Sequence, residues 1–346
     1  MANAANSRDK RAVNLALQGG GTHGAFTWGV LDRLLEDERL VIDGISGTSA
    51  GAINAAVLAQ GHIKGGAAGA REELDRFWRR LSEIGLLSPV HRGWYERAMG
   101  TWNLDDSPSA VFVDQLTRLV SPYQLNPLNL SPLRDLLQGM LDWQALCGPD
   151  SIKLFITATN VRTGKARIFA REELSLDALL ASACLPQIFQ AVMIDGDPYW
   201  DGGYMGNPSI WPLVYWCQSR DVVIVQVNPL TRDGVPRTAA EITNRLNEIT
   251  FNASLMREMR AIAFAVRLVE GEAHGPEIDR LKHMLVHMIE DEAEMEKIGV
   301  ASKLNTDLDF LLHLKGLGRR TAERWLEQNF SALGQRSTLD IRKVFL

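Results

Sequence analysis

Residues 40–60, LVIDGISGTSAGAINAAVLAQ, change character at their midpoint and narrow the possible folds more than any other part of the chain. VIDGIS is apolar and β-branched, as in a buried strand, and AGAINAAVLAQ is alanine-rich, as in a helix. At the join, Gly47-Thr48-Ser49-Ala50-Gly51 places a serine between two glycines. A strand that turns this tightly into a helix belongs to an α/β protein, where helices return the chain between parallel strands.

The preceding residues repeat the arrangement. VNLAL (13–17) reads as a short buried strand, and QGGGTHG follows as a tight loop. AFTWGVLDRLLEDERL then sets Phe26, Val30, Leu31, Leu34 and Leu35 on one helical face. Strand, loop, helix, strand, loop, helix implies parallel neighbours joined by a right-handed crossover. The 346 residues, 46% hydrophobic and 23% charged, suffice for a large core.

Further on, GHIKGGAAGA reads as a loop and 71–83 as a helix. The proline- and tryptophan-rich stretch 84–150 carries short helices around 109–120 and 131–146. Strands are expected at 153–161, 166–170, 191–195, 198–200 and 221–229, with a hairpin at Asp195-Gly196-Asp197. Residues 239–298 have a helical period broken near Gly275-Pro276. These patterns divide the chain into a flexible tail (1–12), a catalytic α/β part (13–235) and a helical C-terminal region (236–346).

Net charge is −5, so bulk electrostatics argues against nucleic acid or an anionic membrane as a general partner. Cys147, Cys184 and Cys217 are odd in number and widely spaced, which fits free thiols in a reducing compartment. The N-terminus, MANAANSRDKRA, lacks the apolar stretch of a secretory signal, and no run reaches the roughly 18 apolar residues of a membrane span. The expectation is a cytoplasmic protein, free to touch lipid at a surface, of undetermined oligomeric state.

Gly-x-Ser-x-Gly between strand and helix is the nucleophile-elbow pattern. Gly47 and Gly51 spare the turn any side chain that would clash, and the Ser49 hydroxyl projects at a helix N-terminus, where the dipole favours developing negative charge. Acyl transfer also needs N–H groups aimed at an oxyanion. Gly19-Gly20-Gly21-Thr22-His23-Gly24 offers a run of them before the first helix. Gly21 and Ser49 lie 28 positions apart, about one βαβ unit, so both loops fall at the carboxyl ends of neighbouring strands, the edge at which open α/β sheets bind ligands.

A base is also required. None of the seven histidines (His23, His62, His91, His274, His283, His287 and His313) stands in a triad-like context. Asp201-Gly202-Gly203 follows the expected hairpin, and its glycines allow other backbone close to the carboxylate. Aspartate is a poor base near pKa 3.9, but a desolvated one held by the serine hydroxyl can serve. The alternative use of this Asp-Gly is to cap its own turn.

GGGTHGAF, GTSAG and DGG, in this order and spacing, resemble the patatin-like phospholipase family over about residues 13–215. LLASACLPQIFQ resembles the stretch that family carries before its aspartate. The resemblance implies a three-layer α/β fold with a mainly parallel central sheet. It implies an enzyme that hydrolyses ester bonds of acyl lipids without metal or cofactor. Ser49 would be the nucleophile and Asp201 its sole protein base, with no histidine, and Gly19, Gly20, Gly21, Thr22 and Gly24 would form the oxyanion loop. Two departures stand out: His23 where the family usually has Arg or Lys, and Gln190 where it often has Pro. His23 would then be a weaker, titratable positive group at that loop.

Two other functions fit parts of the pattern. Gly19-x-Gly21-x-x-Gly24 with Asp43 matches the dinucleotide fingerprint, though that reading gives no reason for GTSAG or DGG. A non-catalytic lipid-binding protein of the same fold would not require Ser49 and Asp201. Asp195, Asp197 and Asp201 lack EF-hand spacing, and His283, His287 and Asp291 along one helix face read as solvated polar residues rather than metal ligands. LLHLKGLGRRTAERWL (311–326) resembles a helix-hairpin-helix with Lys315, Arg319, Arg320 and Arg324 nearby, or else a helical hairpin that packs its leucines on the main domain. Trp78, Trp94 and Trp102, with Ile84, Leu86 and Leu87, read equally as core or as an acyl-chain pocket, and Arg8, Lys10 and Arg11 as a solvated tail.

Overall fold

The computed structural model describes residues 10–85, 90, 92–270, 275–276, 279 and 284–346. In chain order, β1 (Arg11–Leu17) leads through the glycine loop to α1 (Gly24–Glu36), and β2 (Leu40–Thr48) turns at Ser49 into α2 (Ala50–Gly85). Short helices follow at α3 (Trp94–Met99), α4 (Pro108–Leu119), α5 (Pro122–Leu125), α6 (Pro132–Gln138) and α7 (Trp143–Leu146). Ser107, Ser131 and Asp142 cap α4, α6 and α7 with their side chains. Then come β3 (Lys153–Asn160), β4 (Ala166–Ala170), α8 (Leu176–Ser182), the hairpin β5 (Val192–Ile194) and β6 (Asp197–Asp201), α9 (Trp211–Trp216) and β7 (Asp221–Val225). The chain continues through α10 (Ala239–Glu270), β8 (Leu285–Ile289), α11 (Glu292–Met295), α12 (Leu308–Asn329) and α13 (Ile341–Phe345).

Eight strands form one sheet in the order β5-β6-β3-β2-β1-β7-β8, with β4 on the other flank of β3. The five strands β3, β2, β1, β7 and β8 run parallel. Side chains alternate between its faces. Leu15, Leu17, Val223 and Val225 join a core with α1, α2, α8 and α12, while Ala16, Val222 and Ile224 join a second with α9, α10 and α13. The result is a three-layer α/β/α arrangement whose β1 and β2 carboxyl ends carry the glycine loop and Ser49.

Four local expectations are corrected. Helix α2 runs through the expected loop at 61–70, interrupted only where Gly65 and Gly66 leave helical geometry. The helical period expected over 239–298 holds to Glu270, but Leu285–Ile289 is a strand paired with β7, so the sheet extends past residue 235. A five-residue run such as LVHMI, three of its residues buried, is too short to show a period that separates strand from helix. Arg11 and Ala12, expected in the tail, belong to β1; residues 1–9, Arg8 among them, lie outside the described residues.

The fourth concerns Gly316-Leu317-Gly318, which forms no hairpin: α12 is continuous from Leu308 to Asn329. These glycines serve a helix crossing. A Cβ on Gly318 would lie 2.1 Å from the Phe26 carbonyl oxygen, and one on Gly29 would lie 2.0 Å from that of Lys315, so α1 and α12 touch backbone to backbone. Phe310, Leu311, Leu314 and Leu317 are buried in that interface. Of the basic side chains that a helix-hairpin-helix would turn toward phosphate, Lys315 pairs with Asp75, Arg319 with Asp32 and Glu36, and Arg324 with Asp291.

Candidate active site

The turn from β2 to α2 holds Ser49 at φ 55°, a left-handed conformation uncommon outside glycine and characteristic of strained functional turns. Close packing explains its glycine neighbours. A Cβ on Gly51 would lie 2.2 Å from the Leu17 carbonyl oxygen, and one on Gly19 would lie 2.8 Å from the Ser49 Cβ. The glycine loop and the elbow therefore touch. The Ser49 N–H donates to Ser182 Oγ at 2.8 Å, which fixes the elbow against α8.

Asp201 reaches Ser49 through the register of β3. Thr157 of β3 pairs with Thr48, the last residue of β2, and the next residue, Ala158, pairs with Asp201, the last residue of β6. Parallel β2 and antiparallel β6 thus end against each other beside β3. The Ser49 hydroxyl faces the Asp201 carboxylate and favours its ionised form. Gly203 N–H donates to Asp201 Oδ1 at 2.7 Å, and Oδ2 has no well-formed hydrogen bond among the described residues. Asp201 therefore caps its own turn as well as facing the serine. It is fully buried, and burial pushes its carboxyl up to about 7, against the pull of the Gly203 amide, Ser49 and Lys303. A base of that strength suits proton transfer near neutrality.

The five loop residues expected to supply oxyanion donors divide into two groups. Gly19 N–H donates to Asn207 Oδ1 at 2.6 Å, and Gly24 N–H turns back to the carbonyls of Gly21 and Thr22. The N–H groups of Gly20, Gly21 and Thr22 have no protein acceptor among the described residues. Gly21 among them adopts φ 59°, a conformation that favours glycine. Gly202 lies against the Thr157 carbonyl and Gly203 against the Phe251 ring, so the Asp201 turn is packed as closely as the elbow.

His23 is not the positive group expected. It is 3% exposed, its Nε2 is hydrogen-bonded to Ser302 Oγ at 2.8 Å, and burial followed by the nearby Lys303 holds its pKa well below the usual imidazole range. The imidazole is neutral and structural. Gln190 donates through Nε2 to the Asn126 carbonyl, tying the post-α8 segment to the α5–α6 connection.

Several residues that hold the site carried no sequence signal. Asn207 accepts from Gly19 and donates through Nδ2 to the Phe251 carbonyl, joining the glycine loop to α10. Gln18 Oε1 accepts from the backbone of Val227 and Asn228, and its Nε2 donates to Asn252 Oδ1. Isolated amides and serines such as these have no distinctive spacing; only the fold assembles them.

A cavity of about 870 Å³ is lined by Trp200 and Tyr204, by Pro186 and Gln187 after α8, and by Leu119 and Val120 at the end of α4; Ser49, Asp201 and the glycine loop are not among its lining residues. Trp78 and Trp102 do not line it. Trp78 is buried and stacks on Trp28, whereas Trp102 packs between Arg92 and the rings of Phe310 and His313. Leu86, Leu87 and the Trp94 side chain lie outside the described residues, as do His91, His274 and His283.

The dinucleotide reading fails on position. Asp43 lies level with Val13 and Asn14, near the amino end of β2, where it binds Lys153 Nζ and the backbone N–H groups of Gln218 and Ser219. A ribose-binding acid would stand at the carboxyl end of that strand, beside the glycine loop. His287, expected on a helix, lies on β8, hydrogen-bonded to Asp221 and Thr338, and no cluster of three metal-ligating side chains occurs among the described residues.

The family model for patatin-like phospholipase matches residues 15–214. Among solved structures, the crystal structure of VipD from Legionella pneumophila is similar at a TM-score of 0.40 and 14% identity, covering 92% of this chain and 67% of that one. No curated protein matches the chain. No helix among the described residues is long and apolar enough to cross a membrane.

Proposed function

The chain belongs to the patatin-like phospholipase family, a family of lipid acyl hydrolases, and on that premise we propose that it cleaves acyl ester bonds with a Ser49–Asp201 dyad. The observation that carries this reading is the consecutive pairing of Thr48 and Asp201 along β3, which brings a strained serine and a fully buried carboxylate together.

Asp201 takes the hydroxyl proton as Ser49 Oγ attacks the ester carbonyl. The oxyanion is held by N–H groups of Gly20, Gly21 and Thr22, assisted by the amino end of α2. Collapse of the tetrahedral intermediate breaks the carbon–oxygen bond to the alcohol, and protonated Asp201 returns the proton to that leaving oxygen. Water then attacks the acyl-enzyme, giving up a proton to Asp201, which passes it to Ser49 as the carboxylic acid departs. The family match supports an acyl lipid as the substrate class.

Hydrolysis of a short-chain nitrophenyl ester by wild type, Ser49→Ala and Asp201→Asn tests the proposal. Turnover lost in both variants, with the fold retained, supports it. Turnover that survives Ser49→Ala points instead to a different nucleophile, and no turnover in wild type to a binding protein.

A further inference from the structure

We propose that Lys303, delivered by the short helix Val300–Leu304 from outside the matched family segment, is a positioning residue for this reaction: its ammonium group sets the charge state of Asp201 and the aim of the Gly20 N–H. The inference rests on the hydrolase reading above.

The Lys303 stem is partly exposed, but its ammonium end is buried, donating at 2.8 Å to Asn228 Oδ1 and at 2.7 Å to Asn247 Oδ1. Both acceptors are neutral amides, and no carboxylate forms an ion pair with it among the described residues. A buried cation held only by neutral groups is costly, so its field acts on its surroundings with little local cancellation. The charged and titratable groups facing it are Glu248 on α10, Asp105 before α4, His23 and Asp201. Glu248 is already paired with Arg232 and Arg245, Asp105 accepts from Asn244 and the Ala301 N–H, and His23 is neutral. Asp201, itself faced by Ser49, Cys184 and Tyr204, is the carboxylate left without a cationic partner of its own. The Phe251 ring bridges the two: Lys303 Nζ lies 5.4 Å from its centroid, and its edge packs on Gly203, whose N–H holds Asp201 Oδ1.

The second effect runs through Asn228. While its Oδ1 receives the lysine, its Nδ2 donates at 2.8 Å to the Gly19 carbonyl. A trans peptide points its C=O and N–H in opposite directions, so anchoring the Gly19 oxygen fixes the direction of the Gly20 N–H. The same helix clamps the rest of the loop. The Lys303 backbone packs on Gly21, the Ser302 carbonyl accepts from Thr22 Oγ1, and Ser302 Oγ meets His23.

The test is the pH dependence of ester kcat/KM in Lys303→Met, Lys303→Arg and Asn247→Asp, with Tm recorded for each. Asn247→Asp leaves the lysine in place and sets a carboxylate against it, so it serves even where Lys303→Met folds poorly. In Lys303→Met and Asn247→Asp the acid limb is expected to rise by about one pH unit and kcat to fall about tenfold, while Lys303→Arg stays close to wild type. An acid limb unmoved in Asn247→Asp, with Ser49-dependent turnover intact, overturns the inference about Lys303 and leaves the dyad standing. Wild-type turnover that survives Ser49→Ala defeats the dyad reading on which the inference rests.

Discussion

Thr48 and Asp201 take consecutive partners on β3, Thr157 and Ala158, so the strand that ends in the nucleophile elbow and the strand that ends in the carboxylate meet at one point of the sheet. The pairing is set by backbone register, and a one-residue slip of β6 would turn Asp201 to the opposite face. The mechanism proposed above follows from that meeting.

The proposed dyad makes activity depend on pH. Asp201 acts in its ionised form, and burial raises its carboxyl to about 7. Activity is therefore expected to increase with pH through an apparent value near 7 and to decline again above about 8, where Lys303, lowered to that value chiefly by burial, gives up its charge. A kcat/KM profile measured from pH 5 to 9 checks this; an acid limb near pH 4 would mean that the base is exposed or is another group.

The same burial works against stability. The unfolded carboxyl titrates near 3.9. Between that value and about 7 the folded chain holds a proton that the unfolded chain releases, so this contribution to stability declines as pH rises. Asp201→Asn removes the titration. Its stability gain over wild type is expected to be small at pH 4, to grow through pH 7, and to reach on the order of a few kcal/mol above it. Urea melts at pH 5 and pH 8 give the comparison.

Contact between the two glycine loops can be broken from either side. Gly51→Ala forces a Cβ into the Leu17 carbonyl at 2.2 Å and is expected to cost about 1–3 kcal/mol by overpacking. Gly19→Ala presses on Ser49 Cβ and the Thr48 carbonyl, both at 2.8 Å, so the expected effect is chiefly a loss of kcat. Denaturant melts paired with kinetics separate the two outcomes.

Ser182→Ala removes the acceptor of the Ser49 N–H. A buried donor left without a partner costs about 1–3 kcal/mol, and here that donor belongs to the nucleophile's own peptide. The variant is expected to lose both stability and kcat, with KM little changed; a drop in stability at unchanged kcat would make Ser182 purely structural.

Much of the fold was legible because two tandem strand-loop-helix units, bounded by Gly19–Gly24 and Gly47–Gly51, leave few topologies for residues 13–60. The hairpin at Asp195-Gly196 was legible too, and both residues have positive φ. β8 was not, because Leu285–Ile289 is too short to show a period, and α12 was misread because Gly316 and Gly318 look the same in a turn as in a close helix crossing. At the site, Ser49, Asp201 and the glycine loop could be named from local chemistry. Ser182, Asn207, Asn228 and Lys303 could not, since what matters in them is a distance to residues 44 to 282 positions away. Even His23, whose place in the loop was clear, has its charge decided by burial against Ser302.

The dyad is tested most directly by fluorophosphonate labelling followed by intact mass and peptide mapping, on wild type and Asp201→Asn at pH 8. The account predicts a single adduct on Ser49 in wild type and labelling slowed by about a thousandfold or more in Asp201→Asn. Labelling of Asp201→Asn at the wild-type rate, or an adduct on any residue other than Ser49, would contradict it.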